Sequence, residues 1–158
     1  MKRLRVYLDT SVIGGVGDEE FAGPSMRFFE HVRAGKFVVL VSEVVFGELR
    51  NAPPDVRQTI LGLPAGSVEE IPIDSAVRSL ADEYIAAGAV GASSRPDALH
   101  VAAATVGGAD LVLSWNFKHI VNYNRIQAFN SVNLRNNYRA IDIRSPLEME
   151  EHDEDEDV

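Results

Sequence analysis

Short apolar segments alternate with segments of helical periodicity along most of the chain. Runs of apolar and β-branched residues, some of them alternating with polar positions, are typical of β-strands. They predict strands at residues 4–8, 37–41, 68–73, 111–114 and 140–143. The run at 37–41 contains no polar residue, which favours a parallel strand that is covered on both faces.

The segments between these strands carry signals for the starts and ends of helices. Proline and small polar residues favour helix starts, and glycine favours the position just past the end. They predict helices at residues 24–35, 42–49, 53 onward, 74–87 and 97–106. Ser42 and Asp74 are the predicted caps of the second and fourth of these helices. Residues 9–11 are predicted as a turn and the glycine-rich residues 14–23 as a loop. The Asn-rich residues 116–138 are predicted as a loop with a short helix.

The order of these elements predicts the architecture. Strands that alternate with helices imply crossover connections and a parallel sheet, so the fold class is α/β, a three-layer α/β/α sandwich with a mainly parallel central sheet. A chain of 158 residues has room for one such domain, which we place at residues 1–144. Residues 145–158 are predicted to be a disordered acidic tail. Because open parallel sheets bind ligands at the carboxyl ends of their strands, the residues after each strand are the candidate site.

Composition excludes several classes of protein and site. The chain contains no cysteine, which excludes disulfides, thiolate zinc sites and cysteine nucleophiles. No apolar segment reaches the roughly 20 residues that a membrane-spanning helix needs. The basic N-terminus continues into a strand, without the apolar segment of a signal peptide. We therefore expect a cytoplasmic protein without a membrane span.

The net charge of -9 is concentrated at the C-terminus. Eight of the 24 acids lie in the last eleven residues, which leaves 24 − 8 = 16 acids against 15 bases in residues 1–147. Within this nearly neutral part, residues 111–141 contain four bases and no acid. An acidic protein can therefore still carry a local basic surface.

Three acids stand next to apolar sequence at element boundaries. Asp9 ends the first strand, Glu48 lies on the helix after the second, and Asp97 opens an Ala-rich helix. Burying a carboxylate is costly unless a cation neutralises it, and hard divalent cations prefer oxygen ligands. Mg²⁺ or Mn²⁺ is the candidate cofactor, since such an ion activates water for phosphodiester hydrolysis.

Four segments resemble, in order and at plausible spacings, the motifs of PIN domains. They are VYLDTSV at 6–12, SEVVFGEL at 42–49, RPDALHVAAA at 95–104 and ADLVLSWNFKH at 109–119. The resemblance covers residues 4 to about 144. Among PIN domains, a chain of this size is similar to the VapC-like toxins of type II toxin–antitoxin pairs. The resemblance implies a metal-dependent endoribonuclease that hydrolyses RNA with a metal-activated water.

The resemblance also implies roles for individual residues. Asp9, Glu48 and Asp97 match the metal-binding and catalytic acids of the family, and Ser11 matches a small hydroxyl residue that supports the first of them. Asn116 occupies the position of a fourth catalytic acid, which is Asp in many relatives. An amide oxygen can ligate a cation or its water but adds no charge, so this departure favours one bound metal ion over two.

The partners follow from the resemblance and from the basic segment. RNA is the expected substrate, with Lys118, Arg125 and Arg135 as the RNA-binding residues among interleaved aromatic side chains. A solvated loop is the alternative interpretation of these bases. The resemblance further implies a small antitoxin protein as partner and a homodimer.

Each site residue also has a simpler interpretation. Asp9 could be only a helix N-cap. Glu48 could be a solvated helix residue, and Glu43 could be the ligand instead. Asp97 could serve only the dipole of its helix, and Asn116 could be a turn residue.

The function has alternatives as well. A PIN-like module weakened at Asn116 could bind only RNA or a protein. A phosphatase could use Asp9 as nucleophile, but the second acid expected two residues on is replaced by Ser11.

Overall fold

The computed structural model describes residues 3–150. Its strands are β1 (Leu4–Leu8), β2 (Phe37–Ser42), β3 (Val68–Ile71), β4 (Leu111–Leu113) and β5 (Asp142–Arg144). Its helices are α1 (Thr10–Gly14), α2 (Ala22–Arg33), α3 (Glu43–Glu48), α4 (Pro54–Leu61), α5 (Ser75–Ala86), α6 (Arg95–Val106) and α7 (Tyr123–Arg135). None of the helices within these residues is long and apolar enough to cross a membrane.

The five strands form one parallel sheet in the order β3-β2-β1-β4-β5. Central strand β1 has a neighbour on each side, with Val6 beside Val39 of β2 and Leu111 of β4. The chain adds strands to one side of β1 first and to the other side afterwards. The predicted three-layer α/β/α sandwich with a parallel sheet is confirmed.

Successive side chains of β1 point to opposite faces of the sheet and belong to two separate parts of the core. Val6 and Leu8 lie in a cluster with side chains of α1 to α4, whereas Tyr7 lies in a second cluster with side chains of α5, α6 and α7. Both faces of the sheet are therefore covered, which explains why β2 is buried along its whole length.

The carboxyl ends of β1 and β4 form the point where the strand order reverses. Asp9 directly follows β1, and Ser114 and Asn116 follow β4. Asp97 reaches the same edge because α6 leads into β4 and starts near the carboxyl ends of the strands. In open α/β sheets a crevice opens at this reversal, and ligands bind there.

The segment after β1 is more ordered than the predicted turn and loop. Residues 10–14 form α1, Gly15–Gly17 form a 3₁₀ turn, and α2 starts at Ala22 instead of at Pro24. Val12 and Ile13 are fully buried, and their burial stabilises a helix that the glycine content does not predict. The loop prediction was therefore wrong at residues 14–17 and 22–23, whereas residues 18–21 form the predicted irregular connection.

The Asn-rich segment is also more regular than predicted. It contains a 13-residue helix, α7, in which Phe129 and Val132 lie three residues apart and are buried. Asn133 is buried in the same helix and accepts a hydrogen bond from Tyr84 Oη. Core packing of one face therefore outweighs the weak helix propensity of asparagine.

The ordered chain extends past the predicted domain boundary at residue 144. Residues 146–150 are helical, and Met149 is only 6% exposed because it packs in the cluster under α1 to α4. Glu150 forms an ion pair with Arg27. These packed residues correct the prediction that the disordered tail starts at 145, and residues 151–158 of that tail lie outside the described residues.

Gly15 provides a test of packing beside the carboxyl edge. A Cβ atom there would lie 2.7 Å from Ser25 Oγ and 3.0 Å from Trp115 Nε1, which share a hydrogen bond. We expect Gly15→Ala to lower the free energy of unfolding by about 1–3 kcal/mol, as overpacked sites do. The measurement is urea denaturation followed by the fluorescence of Trp115, the single tryptophan of the chain.

Gly14→Ala is the matched control. A Cβ at Gly14 would meet nothing within 4 Å, and the residue already has a helical φ of −62°. We expect it to stabilise the fold by about 0.4–1 kcal/mol through the unfolded state. Equal effects of the two substitutions would contradict the packing argument.

Candidate active site

Asp9 is a buried carboxylate whose two oxygens are each held by a hydroxyl group. Ser11 Oγ donates to Oδ1 at 2.6 Å, and Ser114 Oγ donates to Oδ2 at 2.7 Å. Asp9 is 4% exposed. It occupies the N-cap position of α1, but its side chain accepts no capping bond from that helix. The side chain of Asp9 therefore does not act as the helix cap of the alternative interpretation.

The two serines connect Asp9 to the backbone that leaves β4. Ser11 Oγ accepts from the Trp115 N–H at 2.8 Å, and Ser114 Oγ accepts from the Asn116 N–H at 2.9 Å. Each hydroxyl thus donates to the carboxylate while it accepts from the chain. This arrangement fixes the carboxylate orientation and ties the ends of β1 and β4 together.

Asp97 lies beside Asn116 at the start of α6. Asn116 Nδ2 donates to Asp97 Oδ1 at 3.2 Å, while Asn116 Oδ1 accepts from the His119 N–H at 2.9 Å. The amide therefore acts both as the turn residue of the simpler interpretation and as a donor to the predicted acid. The buried Nδ1 of His119 has no hydrogen-bond partner within residues 3–150.

Burial shifts the acidity of both aspartates. It raises the pKa of Asp9, against the opposing effects of His100 and of the serine hydroxyls. Burial also raises the pKa of Asp97, and the charge of Glu48 adds to this increase. Asp97 in turn raises the pKa of Asp9. The negative charge of Asp97 therefore opposes ionisation of Asp9, and that of Glu48 opposes ionisation of Asp97.

Glu48, on α3, is held by two hydrogen bonds to one of its carboxylate oxygens. Oε1 accepts from Thr10 Oγ1 at 3.0 Å and lies 2.7 Å from His100 Nε2. The hydrogen bond to His100 lowers the pKa of Glu48. Glu43, the alternative acid, is exposed at the start of the same helix. The side-chain contacts favour Glu48 as the acid of this site.

The donor chemistry of these residues fits a hard divalent cation. Asp9, Asp97 and Glu48 offer carboxylate oxygens, and Asn116 and the orphaned His119 nitrogen lie at the edge of the group. Mutual repulsion of buried carboxylates is relieved when a cation binds between them. As the side chains stand in residues 3–150, no group of three or more His, Asp or Glu is arranged to hold a metal ion. A bound ion would therefore have to draw these side chains closer.

Several residues that support the acids were not predicted as site residues from the sequence. Ser114 and Thr10 donate to Asp9 and Glu48, and His100 contacts Glu48 from a fully buried position. Ser42 was predicted as a helix cap, but its hydroxyl instead bonds Tyr7 Oη at 2.8 Å. Only the strand-end position of Ser114 could have identified it beforehand.

The predicted RNA-binding bases are separated in space. Lys118 and Arg125 line one groove together with Asn122 and Asn124, at the start of α7. Arg135 is at the other end of that helix, about 15 Å further along at about 1.5 Å per residue, and forms an ion pair with Glu83. Lys118 and Arg125 share one surface with the segment that carries Asn116.

Comparison with known proteins gives fold-level similarity. No protein-family model matches the chain, and no curated protein matches it. The structure of VapC20 from Mycobacterium tuberculosis, a toxin that cleaves the sarcin-ricin loop, matches with a TM-score of 0.55 at 18% identity. That match covers 72% of this chain and 92% of that chain.

A second structure extends the similarity. VapBC2 from Rickettsia felis, bound to a DNA fragment from their promoter, matches with a TM-score of 0.56 at 14% identity and covers 90% of this chain and 98% of that chain. Identities this low establish the fold alone. The predicted PIN-like fold, of the type found in VapC proteins, is confirmed.

Asp9→Asn should separate stability from cation binding. Because burial raises the Asp9 pKa, its ionised form destabilises the metal-free fold at neutral pH, and this penalty grows as the pH rises through the folded pKa. We expect the variant in EDTA to melt at the same temperature as the wild type or higher. Mn²⁺ at about 100 times its Kd should add about 2.7 kcal/mol to the wild type and much less to the variant.

Thermal denaturation followed by circular dichroism measures both effects. Asp142→Asn is the control, because Asp142 is 47% exposed at the start of β5, the opposite end of the sheet. It should respond to Mn²⁺ as the wild type does. A large loss of thermal stability in Asp9→Asn without metal, or an undiminished Mn²⁺ response, would contradict the assignment.

Proposed function

We propose that this protein is a Mg²⁺- or Mn²⁺-dependent endoribonuclease and the toxin of a type II toxin–antitoxin pair. The observation that carries the proposal is that Asp97 lies within electrostatic reach of both Asp9 and Glu48, at the reversal of the strand order. Burial raises the pKa values of Asp9 and Asp97, and Glu48 lies near them with a lowered pKa. Carboxylates with perturbed pKa values close together are typical of a functional site.

Asp9, Asp97 and Glu48 would hold the cation, with Asn116 beside them. A divalent ion at such a site polarises a phosphoryl oxygen and lowers the pKa of a bound water, which supplies the chemistry of phosphodiester hydrolysis. The protein side chains provide orientation. Ser11 fixes one oxygen of Asp9, and the Asn116 amide restrains Asp97 without adding charge.

The surface beside the acids suits a single-stranded RNA. Lys118 and the half-buried Arg125 offer positive charge for phosphates. Phe117 and Tyr123 are 47% and 76% exposed and offer faces on which unpaired bases can stack. Arg135, with its partner Glu83, contributes less to this surface than Lys118 and Arg125.

The toxin assignment is supported by the fold similarity to VapC20 and VapBC2. VapC20 is a toxin that cleaves the sarcin-ricin loop, and VapBC2 was solved with a bound DNA fragment from their promoter. By analogy the protein would act on cytoplasmic RNA, form a homodimer and be restrained by a small antitoxin. Because one fold can host many reactions, the nuclease chemistry is tested directly by RNA cleavage.

Cleavage of a mixed cellular RNA pool with Mn²⁺, Mg²⁺ or EDTA tests the activity. We expect discrete cuts that EDTA abolishes. Asp97→Asn should lower the rate by at least roughly 100-fold, the scale for loss of one group that stabilises transition-state charge. The carboxylate at this position is half-buried beside Asn116, so the isosteric amide keeps the packing.

Asp142→Asn again serves as the matched control and should cleave like the wild type. Circular dichroism should confirm that both variants are folded. Full activity in a folded Asp97→Asn protein would refute the metal-site assignment.

A second candidate function is supported by Asn116. Its amide nitrogen and oxygen are both engaged by protein groups, and it supplies no charge where many PIN domains have a fourth acid. A domain with so weak a cation site would bind RNA or a partner protein without cleaving RNA. Metal-independent RNA binding without turnover is the outcome that favours this module.

Asn116→Asp distinguishes the two candidates. In the metal-free protein the new carboxylate faces Asp97, so we expect a lower melting temperature. In Mn²⁺ the added charge should tighten ion binding, which isothermal titration calorimetry measures. A nuclease should cleave before and after the substitution, whereas a disabled module should gain cleavage only in the variant. An unchanged melting temperature and ion affinity would contradict the location of Asn116 in the site.

A further inference from the structure

His100 is a fully buried imidazole with a hydrogen bond at each ring nitrogen. It lies on α6, one turn after Asp97, and is 2% exposed. Nδ1 is 2.8 Å from Tyr7 Oη, and Nε2 is 2.7 Å from Glu48 Oε1. Tyr7 Oη also bonds Ser42 Oγ at 2.8 Å. A chain of polar groups therefore runs from the core beneath the sheet edge to Glu48.

The chemistry of the partners assigns the direction of these bonds. A carboxylate can only accept, so His100 Nε2 must carry the proton that is shared with Glu48. In a neutral ring Nδ1 is then an acceptor, and Tyr7 Oη donates to it. Tyr7 Oη in turn accepts from Ser42 Oγ. In this series of hydrogen bonds from Ser42 to Glu48, each donor then faces an acceptor.

The contacts of Glu48 are confined to one of its two oxygens. Thr10 Oγ1 and His100 Nε2 both bond Oε1, and Oε2 has no hydrogen bond within residues 3–150. Glu48 is 42% exposed, so an unrestrained side chain would be free to turn into solvent. The two contacts instead fix the carboxylate and leave Oε2 available.

We propose that His100 is a positioning residue that donates from Nε2 to Glu48 Oε1 and so presents Oε2 as a single ligand oxygen to a divalent cation. Tyr7 sets the tautomer of the ring, and Thr10 shares the fixed oxygen. The cation part of this inference rests on the proposed function. The hydrogen-bond part concerns the metal-free protein alone. Partners that orient a ligand in this way commonly change metal affinity by about 10- to 100-fold.

A double-mutant cycle tests the action of His100 through Glu48. Mn²⁺ binding is measured by electron paramagnetic resonance for the wild type, His100→Gln, Glu48→Gln and the double variant. We expect His100→Gln to weaken binding about tenfold in the wild-type background and to have little further effect once Glu48 is replaced. Equal weakening in both backgrounds would overturn the proposal, because a merely structural role of His100 acts independently of Glu48.

Two further variants serve as comparisons for His100→Gln. Tyr7→Phe removes only the hydroxyl that contacts Nδ1 and should weaken Mn²⁺ binding less than His100→Gln. His31→Gln removes a histidine that lies against Phe37 on the opposite face of the sheet, and it should bind Mn²⁺ like the wild type. Circular dichroism identifies any variant that is unfolded.

Nuclear magnetic resonance of the metal-free wild type needs neither a cation nor activity. Long-range ¹H–¹⁵N spectra should find the proton of His100 on Nε2, and Glu48→Ala should shift that resonance. A proton on Nδ1 alone, or an Nε2 resonance that does not respond to Glu48→Ala, would overturn the proposal. Absence of Mn²⁺ binding together with the expected spectra would refute the proposed function and support the positioning of Glu48 by His100.

Discussion

The carboxylate of Asp9 is buried at the end of the central strand, and the residues around it are arranged to keep it there. Burial disfavours the ionised form of Asp9 and raises its pKa. Two serine hydroxyls supply the hydrogen bonds that water would otherwise provide. Those hydroxyls are held by backbone N–H groups after β4. The carboxylate of Asp9 therefore links the ends of β1 and β4 through two serine hydroxyls, and those hydroxyls fix its orientation.

The rest of the sandwich supports the same edge from both faces. Trp115 follows β4, stacks on Phe21 at a centroid distance of 4.3 Å and donates from Nε1 to Ser25 of α2. On the other face, α6 carries Asp97 and His100 one turn apart and packs against α5. A rigid hydrophobic frame thus holds acidic groups that repel one another, a compromise between stability and function that is common at active sites.

The fold could be predicted because β2 and β4 are apolar, β1 alternates apolar and polar residues, and most helices between the strands have clear starts and ends. Asp9, Glu48 and Asp97 could be predicted because they interrupt apolar sequence at element boundaries. Helix α7 could not, since Phe129 and Val132 give it a buried face within a sequence of low helix propensity. The link from Ser42 and His100 to Glu48 could not be predicted either. Tyr7 of β1 contacts Ser42 of β2 and His100 of α6, and no local sequence pattern indicates contacts between such distant positions.

Asn116 holds Asp97 by a hydrogen bond, and His100 holds Glu48 in the same way. Neither Asn116 nor His100 adds a carboxylate to the site. Two further carboxylates in those places would raise the negative charge of a site where burial already opposes ionisation. Neutral donors orient the acids at a smaller electrostatic cost. In the proposed metal-dependent function, the same choice would limit the charge offered to cations and would favour one ion over two. The neutral donors that lower the electrostatic cost of the metal-free site would then also limit how strongly it binds an ion.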